Sequence, residues 1–257
     1  MINGLGIEES LVKNSADALA RARHVIVFTG AGISAKPDST QIHTDQTAQE
    51  IGIYICCDLK DFLNNPKQIW RYYNNQKKTL RKVCPSPAHY FLVELENMID
   101  DFTLITQNTD GLHQKAGSKK LIELYGNIWT SRCTRCDYST YSQQEYLGDE
   151  PKCPVCKNWL RPGVVWAGEP LPAEDFAAAC EACEIADLMI TIGTSAEVQP
   201  TASMIWQAKA TNAIIIEINP TITTASTLAD IRIPTLPEKA VPALVSELKN
   251  QLIQSNS

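Results

Sequence analysis

The chain has 257 residues, 44% of them hydrophobic and 20% charged, with a formal net charge of −6. That length suits one large domain carrying a small insert, and the acidic balance argues against direct nucleic-acid binding. No apolar run approaches a membrane span and residues 1–14 lack the layout of a secretion signal, so a cytoplasmic protein with no membrane partner is expected.

Residues 8–23 read as a helix, with Leu11, Ala16, Leu19 and Ala22 on its apolar side. Val25-Ile-Val-Phe28 is a wholly apolar run, the pattern of a buried parallel strand. Thr29-Gly-Ala-Gly-Ile-Ser34 follows it. A glycine turn after a strand lets backbone N–H groups approach a pyrophosphate, although many such turns serve packing alone. Residues 36–60 are polar and poorly periodic, which predicts a long loop with short helical pieces. Pro66 to Lys82 and Pro87 to Ile99 read as helices, and Phe102 to Thr106 as the next strand, followed by Gln107-Asn-Thr-Asp-Gly-Leu-His113. Further on, 173–186 reads as a helix, 188–192 as a strand ending in Gly193-Thr-Ser195, 213–218 as a strand ending in Asn219, and 239–254 as a closing helix. Strands alternating with helices predict an α/β fold: a Rossmann-like, doubly wound parallel sheet, with each polar motif just past a strand's C-terminal end.

Cys133-Thr-Arg-Cys136 and Cys153-Pro-Val-Cys156 are separated by sixteen residues, the spacing of a four-thiolate zinc site. Four sulfurs leave no open coordination position, so the metal is structural. Unligated thiols or two disulfides are the alternatives. Nine cysteines with a thiolate site point to a reducing compartment. The predicted division is 1–35, 86–129 and 163–257 for the large domain, 36–85 for a loop and helical flap, and 130–162 for an inserted zinc-ribbon module.

Seven motifs in this order resemble the sirtuin family: Gly30 to Ser34; Gln107-Asn108 with Asp110 to His113; Glu123-Leu with Gly126-Asn127; the cysteine pairs; Arg161 to Trp166 with Gly168-Glu169; Gly193 to Ser195; and Ile216 to Asn219. The resemblance runs from about Ala18 to Leu248. It implies an NAD-dependent protein-lysine deacylase with NAD and zinc as cofactors, acting as a monomer on acylated lysine peptides or proteins. In the family the acyl oxygen attacks the ribose carbon bearing nicotinamide. A histidine base then activates a ribose hydroxyl, and deacylated lysine, nicotinamide and O-acyl-ADP-ribose leave. Carried over by position, Gly30, Ala31, Gly32 and Ser34 contact the pyrophosphate. Gln107 and Asn108 face the nicotinamide ribose, and Asp110 holds the carboxamide. Gly193, Thr194, Ser195 and Asn219 frame the adenosine. Gly163-Val164-Val165 pairs with the substrate backbone, and Tyr73, Gln76, Val164, Trp166 and Ala167 are the implied substrate residues, with Tyr73 at the acyl pocket.

The chain departs from the family at the pocket. Tyr125 stands where the family's histidine base is, and tyrosine, with a reference pKa of about 10, is a poor base at neutral pH. Thr40-Gln-Ile-His43 replaces a Pro-Thr-Phe-Arg segment, so Ile42 and His43 take the places of the aromatic and the arginine. Thr109 replaces Ile or Val, and Ala167 a phenylalanine. Tyr73-Asn-Asn-Gln76 has glutamine where the branch acting on acidic acyl groups has arginine. Impaired or altered catalysis is expected, from a natural pseudoenzyme or a redesigned pocket; a divergent active enzyme is the third reading. A non-catalytic module holding NAD, ADP-ribose or a redesigned ligand is the alternative function, and a mono-ADP-ribosyltransferase or NAD hydrolase a further one. His113 reads as a structural hydrogen-bonder, His24 and His89 as surface or packing residues, and His43 as a solvated loop side chain. Cys180 and Cys183 read as ordinary thiols without a second pair, and adjacent Cys56 and Cys57 as poor joint ligands.

Overall fold

A computed structural model describes residues 7–34, 58–142, 148 and 150–255. The expectations for Thr40 to His43 and for Cys56 and Cys57 lie outside the described residues. The apolar runs form six parallel strands: β1 (His24–Thr29), β2 (Asp101–Thr106), β3 (Leu121–Glu123), β7 (Leu188–Ile192), β8 (Ile214–Ile218) and β9 (Ile231–Ile233), in the order β3-β2-β1-β7-β8-β9. Side chains alternate across this sheet. Val25 and Val27 face one way and meet Leu19 of α1 (Glu9–Arg21), Leu92 and Leu95 of α4 (Pro87–Met98), and Leu244 of α8 (Pro237–Ser255). Ile26 and Phe28 face the other way, against Cys183 of α6 (Ala173–Ile185) and Met204 of α7 (Ser203–Ala210). Both faces are thus covered, which is why β1 and β7 are apolar along their length.

A second, antiparallel sheet has the order β5-β4-β6, from β4 (Gly126–Cys133), β5 (Ser139–Tyr141) and β6 (Leu160–Val164). Its core joins Trp129 and Leu160 to Phe62 of α2 (Leu59–Asn64) and Trp70 of α3 (Pro66–Lys82). The Trp70 indole N–H donates to Leu160 O at 2.7 Å. Helix α5 is Leu112–Ala116. Among the described residues no helix is long and apolar enough to cross a membrane. The short strands β3 and β9 and the helix α7 were not expected from sequence. Three-residue strands carry too little alternation to register, and α7 follows a proline-containing segment, Val198-Gln-Pro-Thr201, that reads as loop.

Lys77 of α3 is fully buried, and its Nζ has no hydrogen-bond partner among the described residues. The amine lies 5.5 Å from the Trp70 ring centre and 5.9 Å from that of Trp129. Burial lowers its pKa from 10.5 to about 8. The unfolded chain therefore binds this proton more tightly, so the group costs stability below pH 8 and the cost fades toward pH 10.5. At about 1.4 kcal/mol per pH unit, the interval from 10.5 to about 8 corresponds to a penalty of roughly 3 kcal/mol, offset in part by the two rings. Lys77→Met is expected to stabilise the protein by about 1–3 kcal/mol at pH 7, and by less at pH 10. Urea melts at both pH values check this; a variant no more stable than the parent at pH 7 contradicts it.

Candidate active site

The chain leaves β1 toward β2 on one side and returns through β7 on the other, so the crevice between the ends of β1 and β7 is a topological switch point. Gly30 N–H donates to Ile192 O at 3.0 Å and Gly32 N–H to Gly193 O at 2.8 Å. A methyl group on Gly32 would come within 2.7 Å of Gly193 Cα. One on Gly193, whose φ is +60°, would lie 2.5 Å from the Gly32 carbonyl carbon. Two turns thus touch backbone to backbone, which only glycine permits. Ala31 at the top of the first turn is exposed.

Side chains from the neighbouring strand ends close over this contact. Asn108 Nδ2 donates to Gly30 O at 3.1 Å and approaches Ser34 Oγ at 3.4 Å. Ser34 Oγ donates to Asp110 Oδ2 at 2.9 Å, and Asp110 Oδ1 accepts from Leu112 N–H at 2.8 Å. Asn219 Nδ2 donates to Thr194 O at 3.0 Å, tying the end of β8 to that of β7. Ser195 is exposed beside them. Gln107 is held at both ends of its amide: Oε1 accepts from Thr194 Oγ1 and Nε2 donates to Thr201 Oγ1, each at 2.7 Å.

Thr201 links this network to Tyr125. Its hydroxyl donates its single proton to Val198 O at 2.9 Å. It therefore accepts from Gln107 and, at 3.3 Å, from the Tyr125 hydroxyl. The phenol is thus a donor here, not a proton acceptor. Thr201 carried no sequence signal: a lone hydroxyl between Pro200 and Ala202 belongs to no motif, and only the fold brings it to the strand ends. Two residues before Tyr125, burial pushes the Glu123 carboxyl up to about 7. Hydrogen bonds from Gln114 and Asn127 oppose that rise, and the charges of Asp110 and Asp175 add to it.

Tyr125 lines a cavity of about 650 Å³ bordered by residues 165–171, Phe176 and 198–200. One wall is held by ion pairs. Glu169 accepts from Arg161, from Arg132 at 3.0 Å and from the Trp166 N–H at 2.9 Å. Burial works against its charged form, but these donors hold the Glu169 carboxyl below its ordinary range. The Arg161 guanidinium stacks 3.4 Å above the Trp166 ring. Ala167 is exposed at the cavity, and Val164 is buried on β6, an edge strand of the small sheet. Tyr73 sends its hydroxyl to the Trp166 indole N–H at 2.9 Å, which ties α3 to this wall; Gln76 is half-buried one turn on.

The four cysteine sulfurs lie within 4.8 Å of one another, with Cys133–Cys156 at 3.4 Å and Cys136–Cys153 at 3.6 Å. A tetrahedron with Zn–S of about 2.3 Å has edges of about 3.8 Å, so the set fits zinc. Arg135 N–H and Asn158 Nδ2 point at Cys133 and Cys156 sulfurs, at 3.3 and 3.5 Å, as donors that stabilise thiolates.

His113 Nε2 meets Thr29 Oγ1 at 2.9 Å, and burial, with the nearby His89, lowers its pKa well below the ordinary value. It is a neutral structural side chain. His89, buried and lowered to about 4 by desolvation, accepts from Ser86 N–H at the start of α4. Burial raises the pKa of both the Cys180 and Cys183 thiols, the latter to about 12, which keeps them protonated at neutral pH.

Residues 30–200 match the Sir2 family model. The chain is 39% identical to NAD-dependent protein deacylase 2 of Pyrobaculum aerophilum, over 93% of this chain and 96% of that one. Among solved structures it is similar to a mutant Sir2 homologue in complex with ADP-ribose, with a TM-score of 0.84 and 33% identity over 96% of this chain and 98% of that one. It is also similar to Sir2Af2 bound to a myristoylated histone peptide, with a TM-score of 0.76 and 31% identity over 96% and 100% of the two chains.

Proposed function

The chain belongs to the Sir2 family, and from that premise we propose that it is an NAD-dependent protein-lysine deacylase whose catalysis is impaired at the base. The supporting observation is the packed pair of turns at Gly30–Gly32 and Gly193, with Asn108, Ser34 and Asp110 closing over them and Tyr125 at the adjoining cavity. In this assignment Gly30, Ala31, Gly32 and Ser34 hold the pyrophosphate of NAD. Gly193, Thr194, Ser195 and Asn219 hold the adenosine, and Gln107, Asn108 and Asp110 the nicotinamide half. NAD supplies an electrophilic ribose carbon and a leaving group. The acyl-lysine peptide lies against Val164, Trp166 and Ala167, with Tyr73 and Gln76 behind them. Tyr125 orients and donates, but it does not take a proton from a ribose hydroxyl, because Thr201 engages it as a donor. The zinc module at residues 130–162 positions β4 and β6 and takes no chemical part. Residues 1–35, 86–129 and 163–257 are assigned to the nucleotide-binding domain and 36–85 to a cofactor loop and helical flap, whose helices α2 and α3 pack on the small sheet.

Zinc-loaded protein is expected to bind ADP-ribose measurably by calorimetry, and Ser195→Trp to weaken that binding at least tenfold by crowding the adenosine. No heat at millimolar ligand contradicts the nucleotide assignment. Nicotinamide release that needs acyl-peptide supports the deacylase. Release without peptide favours an NAD hydrolase or ADP-ribosyltransferase, and binding without release a non-catalytic module.

A further inference from the structure

We infer that Thr201 is a positioning residue for the ribose that carries nicotinamide: its hydroxyl fixes Gln107 as the donor, and the Tyr125 oxygen as the acceptor, that a ribose hydroxyl meets. The inference rests on the nucleotide assignment above.

Thr201 is fully buried in the turn that leads into α7. Val198 O accepts there from the Thr201 hydroxyl and from the Ala202 N–H, each at 2.9 Å. A hydroxyl has one proton and two lone pairs. With the proton on Val198 O, both lone pairs are left for donors, and Gln107 Nε2 at 2.7 Å and the Tyr125 hydroxyl at 3.3 Å take them. The other end of the Gln107 amide is fixed independently. Thr194 Oγ1 accepts from Ala196 N–H at 3.2 Å and gives its proton to Gln107 Oε1 at 2.7 Å. Turning the amide over would set Oε1 against Thr201, a hydroxyl with no proton to give.

Two consequences reach the ligand. Gln107 uses one Nε2 proton on Thr201 and keeps a second to give. Tyr125 uses its phenol proton on Thr201, which leaves its oxygen an acceptor. A ribose hydroxyl both gives and takes a hydrogen bond, so one donor and one acceptor match it. Thr201, itself buried, acts through these two side chains.

The test is calorimetric titration with ADP-ribose and with ADP, which lacks the terminal ribose. Neither measurement depends on turnover. A hydrogen bond is worth roughly a two- to twelvefold change in affinity. The parent is expected to bind ADP-ribose more tightly than ADP. Thr201→Val, which keeps the shape and removes the hydroxyl, is expected to weaken ADP-ribose at least fivefold and ADP less than twofold. Thr201→Ala, which adds no bulk, should match it if the valine variant fails to fold. Thr201→Ser keeps the hydroxyl and is expected to restore ADP-ribose affinity to within threefold of the parent. Equal weakening of both ligands, or serine as weak as valine, would make Thr201 scaffold alone and overturn the inference. Unchanged affinities in the valine and alanine variants would overturn it too. A parent that binds ADP as tightly as ADP-ribose would take the terminal ribose out of this network, leaving the pyrophosphate and adenosine assignment standing. Failure of the parent to bind either ligand would sink both.

Discussion

Tyr125→His is expected to raise the rate of deacylation at least tenfold. General base catalysis is typically worth about 10²- to 10⁴-fold, and the parent chain offers a phenol that donates to Thr201 instead of accepting a proton. The Thr201 hydroxyl is already an acceptor. It can hold one N–H of an imidazole and leave the other nitrogen free to take a proton, the arrangement a histidine base needs. The gain is expected to fall short of the full range, because Ile42, His43, Thr109 and Ala167 also differ from the family pattern, and misplacement of about 1 Å can cost on the order of 100-fold. Steady-state assays of both proteins on acetyl and octanoyl peptides check this. Equal rates on every peptide would mean that Tyr125 is not the vacant base position.

Cys153→Ser is expected to abolish stable zinc binding and unfold the small sheet. Purified parent protein should carry one zinc per chain, and less than half an equivalent after mild handling would count strongly against the site. Cys153 is fully buried among sulfurs at 3.4 to 3.6 Å spacing, and structural zinc contributes on the order of 10 kcal/mol to small modules of this kind. The consequences reach the substrate side. β4 starts at Gly126, next to Tyr125, and β6 ends at Val164, next to the cavity wall. Peptide binding should therefore be lost with the metal. ADP-ribose binding should persist, because Gly30, Gly193 and Asn219 are held by the large sheet. Metal analysis and calorimetry on the variant separate the two. Retained zinc with retained peptide affinity would contradict the structural role.

The large sheet was legible because β1, β2, β7 and β8 are buried on both faces and read as continuous apolar runs ending in polar turns. The zinc set was legible because its spacing alone constrains four sulfurs. Strands β3 and β9 were not, being three residues long and half-buried. At the site, Gly30, Asn108, Asp110 and Gly193 announce themselves by motif, and the structure brings them into one network. Thr201 does not, since its role depends on where the segment after β7 folds back. The engaged state of Glu169 was equally hidden. A glutamate in a motif reads as a free charge until Arg132 and Arg161 are found against it. Lys77 lies in a helix whose polar sequence gives no sign that one lysine points inward.

The central claim is that the chain binds NAD and acyl-lysine together but stalls where a base must take a proton from the ribose. Exchange of labelled nicotinamide into NAD, measured beside deacylation in one reaction with acetyl peptide, tests it most directly. Peptide-dependent exchange is expected to outpace deacylated product at least tenfold in the Tyr125 protein. Absence of peptide-dependent exchange, or product formed as fast as exchange, would contradict it.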